Sequence, residues 1–214
     1  MADAAKLEMG AAGRLLIIAA AIGLASPTAA LAADSRFPDW PCAQIKVPEI
    51  SVAAVWSGPS IDGAESVWKT DAAIRDLVAR LAARRTPLEE AQTEIRNFIA
   101  ARAADRQEKA KLIFAGLLVT LNAERSQVMN GIERFSREQS AFANRIRDEI
   151  TELRRMRDAS DAKESEIEEL ANRIDWDTRI FEERRKTIRY ACEVPVLIEQ
   201  RLFALARTIQ ESME

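Results

Sequence analysis

The feature that most constrains the fold is a stretch of more than one hundred residues, Leu88 to Val194, without a single proline. Proline removes a backbone donor and breaks helices, so its absence leaves this stretch free to be helical. Within it, apolar residues recur at spacings of three, four or seven, the steps of a heptad pattern with some positions skipped. The first half of the pattern comprises Phe114, Leu118, Leu121, Val128, Ile132, Phe135, Phe142, Ile146, Ile150 and Leu153.

A polar break at residues 158–161 divides the heptad pattern into two parts. The second part comprises Ile167, Leu170, Ile174, Phe181, Ile188 and Cys192, and it continues through Ile198, Leu202, Ala206 and Ile209. Two such helices joined by a short loop favour an antiparallel hairpin. We therefore predict an all-α protein whose residues 105–214 form a helical-hairpin coiled coil, with a kink or restart near Pro195.

Two shorter helices are expected before the hairpin, within residues 64–104. Asp71 is a suitable N-cap for the first, and the Thr86-Pro87 pair followed by two glutamates is typical of the start of the second. Asp105 with Glu108 indicates either a third helix or a continuation of the second, and Asp161 with Glu164 supplies a similar start signal after the break. These helices are predicted to form a small bundle at the base of the hairpin.

The N-terminal 32 residues have the order of a secretory signal peptide. Lys6 and Arg14 precede an apolar run of about 11 residues, and small residues around Ala32 suit cleavage there. A retained membrane anchor is the alternative, but the apolar run is shorter than the roughly 20 residues that cross a bilayer. The sequence predicts a periplasmic or secreted protein.

Residues 33–63 are rich in proline and lack helical period, so we predict an extended strap that lies on the helices. Cys42 lies in this strap, and Cys192, the second of two cysteines, lies in the last helix. An even pair in an exported chain favours a disulfide. A redox pair is the alternative, but no Cys-x-x-Cys motif supports it.

The composition excludes most familiar catalytic sites. The chain has no histidine, which removes Ser-His triads and His-ligated metal sites, and it has no glycine-rich phosphate-binding loop. We expect neither enzymatic activity nor a cofactor. The net charge of -3, with basic and acidic residues interleaved, argues against nucleic acid as a partner.

Four aromatic residues are candidates for a protein interface: Trp176 and Phe181 in the hairpin, with Trp40 and Trp56 in the strap. An ion-paired coiled-coil surface is the competing, and favoured, interpretation of the region around Trp176. Polar residues also occupy heptad positions at Arg125, Gln139 and Arg185. They either fix the register or mark where the strap or another chain enters.

These features predict a non-enzymatic scaffold or adaptor that binds another protein of the cell envelope. The alternative is a periplasmic holdase-type chaperone that clasps unfolded clients between helical arms. Self-association is also expected, because a two-helix stalk buries only one seam and leaves apolar residues near its surface.

Overall fold

The computed structural model describes residues 35–161 and 163–214. All regular secondary structure in these two ranges is helical, which confirms the all-α class. The predicted signal peptide, residues 1–32, lies outside the described residues. Between Ser35 and Glu214, no described helix is both long enough and apolar enough to span a membrane.

Six α-helices are present in the described residues. They are α1 (Val52–Val55), α2 (Ala64–Val67), α3 (Ala72–Ala82), α4 (Leu88–Ala100), α5 (Arg106–Asp158) and α6 (Glu164–Glu211), with a 3₁₀ turn, Trp68–Thr70, between α2 and α3. At 1.5 Å per residue, α5 and α6 are roughly 80 and 70 Å long. These two long helices pack against each other.

Helix α3 begins where the sequence indicates. The Asp71 carboxylate accepts backbone hydrogen bonds from Ala73 (2.9 Å) and Ile74 (3.2 Å), so it is a true N-cap. Lys109 of α5 also donates to this carboxylate at 2.8 Å. The Lys109 hydrogen bond lowers the pKa of Asp71, and the same bond raises the pKa of Lys109.

The polar break is confirmed as the end of one helix and the start of the next, but its predicted cap is wrong. Helix α5 ends at Asp158, and α6 begins at Glu164 with Lys163 as its N-cap residue and no side-chain cap bond. Asp161 lies too early to cap this helix. Helix α6 continues through Pro195, which is buried inside it, so the chain does not restart there.

Two separate apolar clusters hold the helices together. The main core joins α1–α4 to residues 110–121 of α5 and 198–209 of α6, and its largest buried side chains include Phe114, Leu117, Leu202 and Leu205. The second, which we call the α5–α6 cluster, contains Phe142, Ile146, Leu153, Leu170 and Ile174. The short helices thus pack on only one part of the long pair.

The N-terminal segment, residues 35–63, contains local structure that the sequence prediction missed. Helix α1 lies within the range predicted to be an extended strap, and α2 immediately follows it. Helix α1 has only four residues and no side-chain cap. Such a turn leaves no helical period in the sequence, because it is shorter than one repeat of the pattern that predicts helices.

Candidate protein-binding surface

Asn122 of α5 anchors the middle of the N-terminal segment. Its side-chain oxygen accepts from the Ile50 backbone amide at 2.9 Å, and its side-chain nitrogen donates to the Ile50 carbonyl at 3.0 Å. Ile50 itself is buried in the main core. A buried backbone amide and carbonyl need partners, and this single asparagine satisfies both, which fixes the segment on α5.

Arg125, one turn further along α5, makes a second attachment. Its side chain is buried, and its guanidinium donates to the Val47 and Pro48 carbonyls and forms an ion pair with Glu199 of α6. Of the two explanations offered for a polar residue at this heptad position, the contacts support entry of the N-terminal segment. A buried guanidinium requires such compensation, since burying an unpaired charge is costly.

Lys46 makes the third attachment, through charge and aromatic contacts. Its ammonium forms an ion pair with Glu133 of α5 at 2.5 Å, and both side chains are largely buried. The same ammonium lies 4.5 Å from the Phe37 ring centroid and 5.9 Å from that of Trp40. These cation–π contacts gather residues 37–46 around one lysine.

A fourth, covalent attachment lies between Trp40 and Lys46 in the chain. Cys42 and Cys192 are placed at disulfide-bonding distance, with their Cα atoms 5.6 Å apart, as the sequence predicts. The Gln44 side-chain amide donates to the Cys192 carbonyl beside the bond. The N-terminal segment is therefore joined to α6 as well as to α5.

Two open grooves lie where the N-terminal segment meets α6. The first groove, of about 640 Å³, runs between residues 41–44 and the 188–197 region of α6. Its lining consists of Pro41, Cys42, Ala43, Gln44, Ile188, Arg189, Cys192, Glu193, Val196 and Leu197. Both cysteines of the disulfide therefore face this groove.

The second groove, of about 400 Å³, lies further along the same side of α6. It is lined by Val47, Glu49, Ile50, Ser51, Ala54, Val55, Glu199, Gln200 and Phe203. Most of these side chains are apolar. Glu199, which is polar, forms the ion pair with Arg125 described above. Protein-binding sites commonly combine an apolar floor with a polar edge.

Large apolar side chains stand exposed around both grooves. Leu197 and Phe203 of α6 are 54% and 53% exposed, and Ile45 and Val47 of the N-terminal segment are at least half exposed. Leu197 lines the first groove, Val47 and Phe203 line the second, and Ile45 lies in the chain between residues that line the two. We call these four residues, with the two grooves, the α6 surface. Exposed apolar residues that are grouped, unlike scattered ones, mark interaction sites.

The two tryptophans of the predicted strap differ in how far they are buried. Trp56 is 7% exposed and stacks on Phe114 of the main core with ring centroids 4.2 Å apart, so it is not available on the surface. Trp56 was a candidate for a protein interface, but this packing places its side chain in the core. Trp40 is half-buried, and its indole nitrogen donates to the Gln44 carbonyl at 2.7 Å beside the first groove.

The two aromatic residues predicted on the long helices also differ. Trp176 is 61% exposed on α6, whereas Phe181 is partly buried against the α5–α6 cluster and meets Phe142 edge-on at 6.3 Å. Gln139 donates to the Phe181 carbonyl at 3.4 Å, and Arg185 is exposed and pairs with Glu182 of its own helix. Of the four residues considered from the sequence, Trp176 and Arg185 are exposed, whereas Phe181 and Gln139 are partly buried.

The sequence did not single out Leu197 and Phe203, which carry the α6 surface. Both lie within the heptad-rich last helix, where an apolar residue is expected to be buried, and their exposure depends on what packs beside them. Neither residue lies at a heptad position of that helix, which is the one feature of the sequence that indicates their exposure.

Fold and surface together define an all-α protein with two long packed helices, a cysteine pair at bonding distance and a grouped apolar surface. Comparisons of the chain with protein-family models, curated proteins and solved structures found no match.

Proposed function

We propose that this chain is an exported, non-enzymatic scaffold or adaptor that binds another protein of the cell envelope through the α6 surface. The observation that carries the proposal is the exposure of Leu197 and Phe203 beside two grooves that the N-terminal segment helps to build. Burial of such side chains by a partner is favourable at roughly 25 cal/mol per Å². The cysteine pair and the apolar N-terminal run fit export.

The charges at the edge of the grooves suggest the chemistry of the partner. Glu49 and Glu193 are exposed there, and neither carries an ion pair within residues 35–161 and 163–214. Arg189 is the one basic residue in the lining of either groove. An apolar segment with a flanking lysine or arginine complements this arrangement.

The long helices are proposed to form the predicted antiparallel coiled-coil hairpin that holds this surface. Arg145 pairs with Asp177 at 3.0 Å, and Glu149 pairs with Arg173 at 3.5 Å. Moving four residues forward on α5 thus moves the partner four residues back on α6, which supports an antiparallel register. The apolar residues of the α5–α6 cluster, which lie along the same stretch of both helices as these pairs, support a heptad seam.

Photo-crosslinking tests the proposed binding surface. p-Benzoylphenylalanine is placed at position 197 or 203 in cells that export the protein, and at position 176 as the control on the same helix. We expect the crosslinker at position 197 or 203 to form an adduct with a partner protein. The double variant Leu197→Glu/Phe203→Glu should no longer bind this partner. Binding that survives this double variant, but is lost in Trp176→Glu, would move the interface to Trp176 and reject the α6 surface.

A holdase remains the second proposal, because exposed apolar side chains also suit unfolded clients. A holdase would suppress aggregation of an unfolded outer-membrane protein at stoichiometric amounts. If aggregation proceeds unchanged in the presence of excess protein, this alternative is rejected without affecting the scaffold.

Self-association is proposed as a property of the exposed face of α6, where Trp176 and Tyr190 are both more than half exposed. Light scattering on the purified protein decides it. A monomeric mass at micromolar concentration would contradict it.

A further inference from the structure

Residues 35–49 are held on the long helices without contributing to an apolar core. Within the described part of the chain, neither apolar cluster includes any residue before Ile50. The hydrogen bonds and ion pairs from residues 37–45 to the described residues of α5 and α6 are the Gln44 bond to Cys192 and the exposed Asp39–Arg137 ion pair. Phe37 and Trp40 also contact Lys46 of their own segment. Exposed ion pairs stabilise little.

Ordering these residues has an entropic cost that so few contacts do not offset. Each ordered residue loses backbone freedom, and side chains that stay half-exposed gain little from burial. The disulfide offsets this entropic cost, because it tethers residue 42 to α6 whatever the surrounding contacts contribute. The wall of the first groove formed by residues 41–44 therefore depends on one covalent bond.

We propose that the Cys42–Cys192 disulfide is a redox-operated clasp that closes the first groove of the α6 surface. This inference rests on the proposed function in one respect, because the proposed function is what gives the groove a binding role. Reduction releases residues 37–45 and opens the first groove, while the second groove keeps its form. Binding at Leu197 then depends on the oxidised state, and binding at Phe203 does not.

The bond is placed where a reductant can reach it. Both cysteines are half-buried, and both line the open first groove. A thiolate of a dithiol reductant attacks one sulfur, and a mixed disulfide forms as the Cys42–Cys192 bond breaks. The second thiol of the reductant then displaces the remaining cysteine, so the reductant leaves as a disulfide and the protein keeps two thiols, with two electrons transferred.

The second groove is held by contacts that reduction leaves intact. Lys46 keeps its largely buried ion pair with Glu133, and Asn122 keeps both hydrogen bonds to Ile50. Beyond them, Trp56 stays stacked on Phe114 in the main core. Release is therefore expected to stop near Lys46.

The four tryptophans of the chain provide reporters for each part of this proposal. Trp40 lies in the releasable part, Trp56 and Trp68 lie in the main core, and Trp176 is exposed on α6. The full exported chain is labelled with 5-fluorotryptophan, and its ¹⁹F NMR spectrum is recorded before and after treatment with dithiothreitol. The variant Trp40→Phe assigns the reporter resonance.

We expect the Trp40 resonance to move at least halfway to its position in the urea-unfolded protein, while those of Trp56 and Trp68 stay in place. The double variant Cys42→Ser/Cys192→Ser should reproduce the reduced spectrum without reductant. Arg137→Ala is the matched control, since it breaks another link of the same residues. In the oxidised protein it should leave the Trp40 resonance at its native position.

Three results would overturn the clasp. An unmoved Trp40 resonance in the reduced protein would show that Lys46 and its ring contacts hold the wall. Movement of the Trp56 and Trp68 resonances as well would make the bond a staple of the whole fold. Failure of the dithiol to reduce the bond without denaturant would show that the groove does not expose it.

The crosslinking positions separate this inference from the proposed function. Reduction is expected to lower the adduct at position 197 at least fivefold and to leave that at position 203 unchanged. Equal adducts in both redox states would contradict the control of binding. Absence of adducts from both positions in the oxidised protein would reject the proposed function, while the NMR result still decides whether the clasp opens.

Discussion

At the scale of single residues, the chain places small side chains where two elements approach closely. Gly116 of α5 is the clearest case, because a Cβ atom built there would lie 2.8 Å from Val78 Cγ2 and 2.9 Å from Trp68 Cε3. Both neighbours are buried in the main core and have no room to withdraw. Glycine at this position therefore allows the indole of Trp68 to pack directly on the helix backbone.

Substitution of Gly116 by alanine is expected to destabilise the protein by about 1–2 kcal/mol, since overpacking outweighs the better helix propensity of alanine. Gly131 of the same helix is the matched control, because nothing lies within 4 Å of a Cβ atom there. Gly131→Ala should stabilise by about 1 kcal/mol. Urea unfolding measures both, and effects of the same sign would contradict the packing argument.

The Asp71–Lys109 pair makes stability depend on pH. The pKa of Asp71 is lowered in the fold, chiefly by the Lys109 hydrogen bond, so its contribution is present above the ordinary carboxyl pKa. That contribution is lost as the pH falls through the folded-state pKa. The pKa of Lys109 is raised, so its contribution is present at neutral pH and is lost only as the pH rises through that higher pKa.

Asp71→Asn isolates this charge effect, because asparagine caps a helix as well as aspartate does. We expect the variant to be less stable by about 0.5 kcal/mol at neutral pH, the value typical of solvent-screened pairs. The difference should vanish in acid, below the folded-state pKa of Asp71. Urea unfolding at both pH values tests it, and a difference that persists in acid would assign the effect to the cap.

At the scale of elements, α6 contributes residues to two different apolar clusters. Ile198 of α6 lies in the main core with 1% of its surface exposed, and Ile174 of the same helix lies in the α5–α6 cluster with 7% exposed. The main core joins residues of α1–α6, whereas the α5–α6 cluster contains residues of α5 and α6 alone among the described residues. Identical side chains in one helix should therefore contribute unequally to stability.

Ile198→Ala is expected to cost about 4 kcal/mol and Ile174→Ala about 2 kcal/mol, the upper and lower parts of the range for such truncations. The site in the main core cannot collapse around the cavity, whereas the seam between two helices can. Equilibrium unfolding in urea distinguishes them. An equal or larger loss for Ile174→Ala would mean that the two long helices depend as much on their own seam as on the main core.

Local sequence patterns predicted the helices well, but they did not predict the contacts between distant parts of the chain. The all-α class, the Asp71 cap and the break after Asp158 follow from spacing and start signals that lie within a few residues. The burial of Trp56 and the exposure of Phe203 depend on neighbours far away in sequence. Periodicity records which face of a helix is apolar, but not what covers it.

At the scale of the whole molecule, the cysteine pair closes a loop that spans 150 positions and includes most of the described chain. In the chain-entropy model, closing a loop of this length restricts the unfolded state by about 5 kcal/mol. We expect Cys42→Ser/Cys192→Ser to lose up to that amount in free energy of unfolding while it remains helical. Urea unfolding followed by circular dichroism measures the loss, and an unchanged midpoint would refute it.

The same bond determines how the chain responds to a mechanical load. Tension applied between Ser35 and Glu214 passes from Cys42 directly to Cys192, so the residues between them carry none of it. A fully extended chain spans at most about 3.5 Å per residue, so the distance between Ser35 and Glu214 reaches roughly 100 Å in the oxidised chain, against roughly 600 Å once the bond is cut. A chain pulled at these two residues would therefore keep α5 and most of α6 out of the line of force.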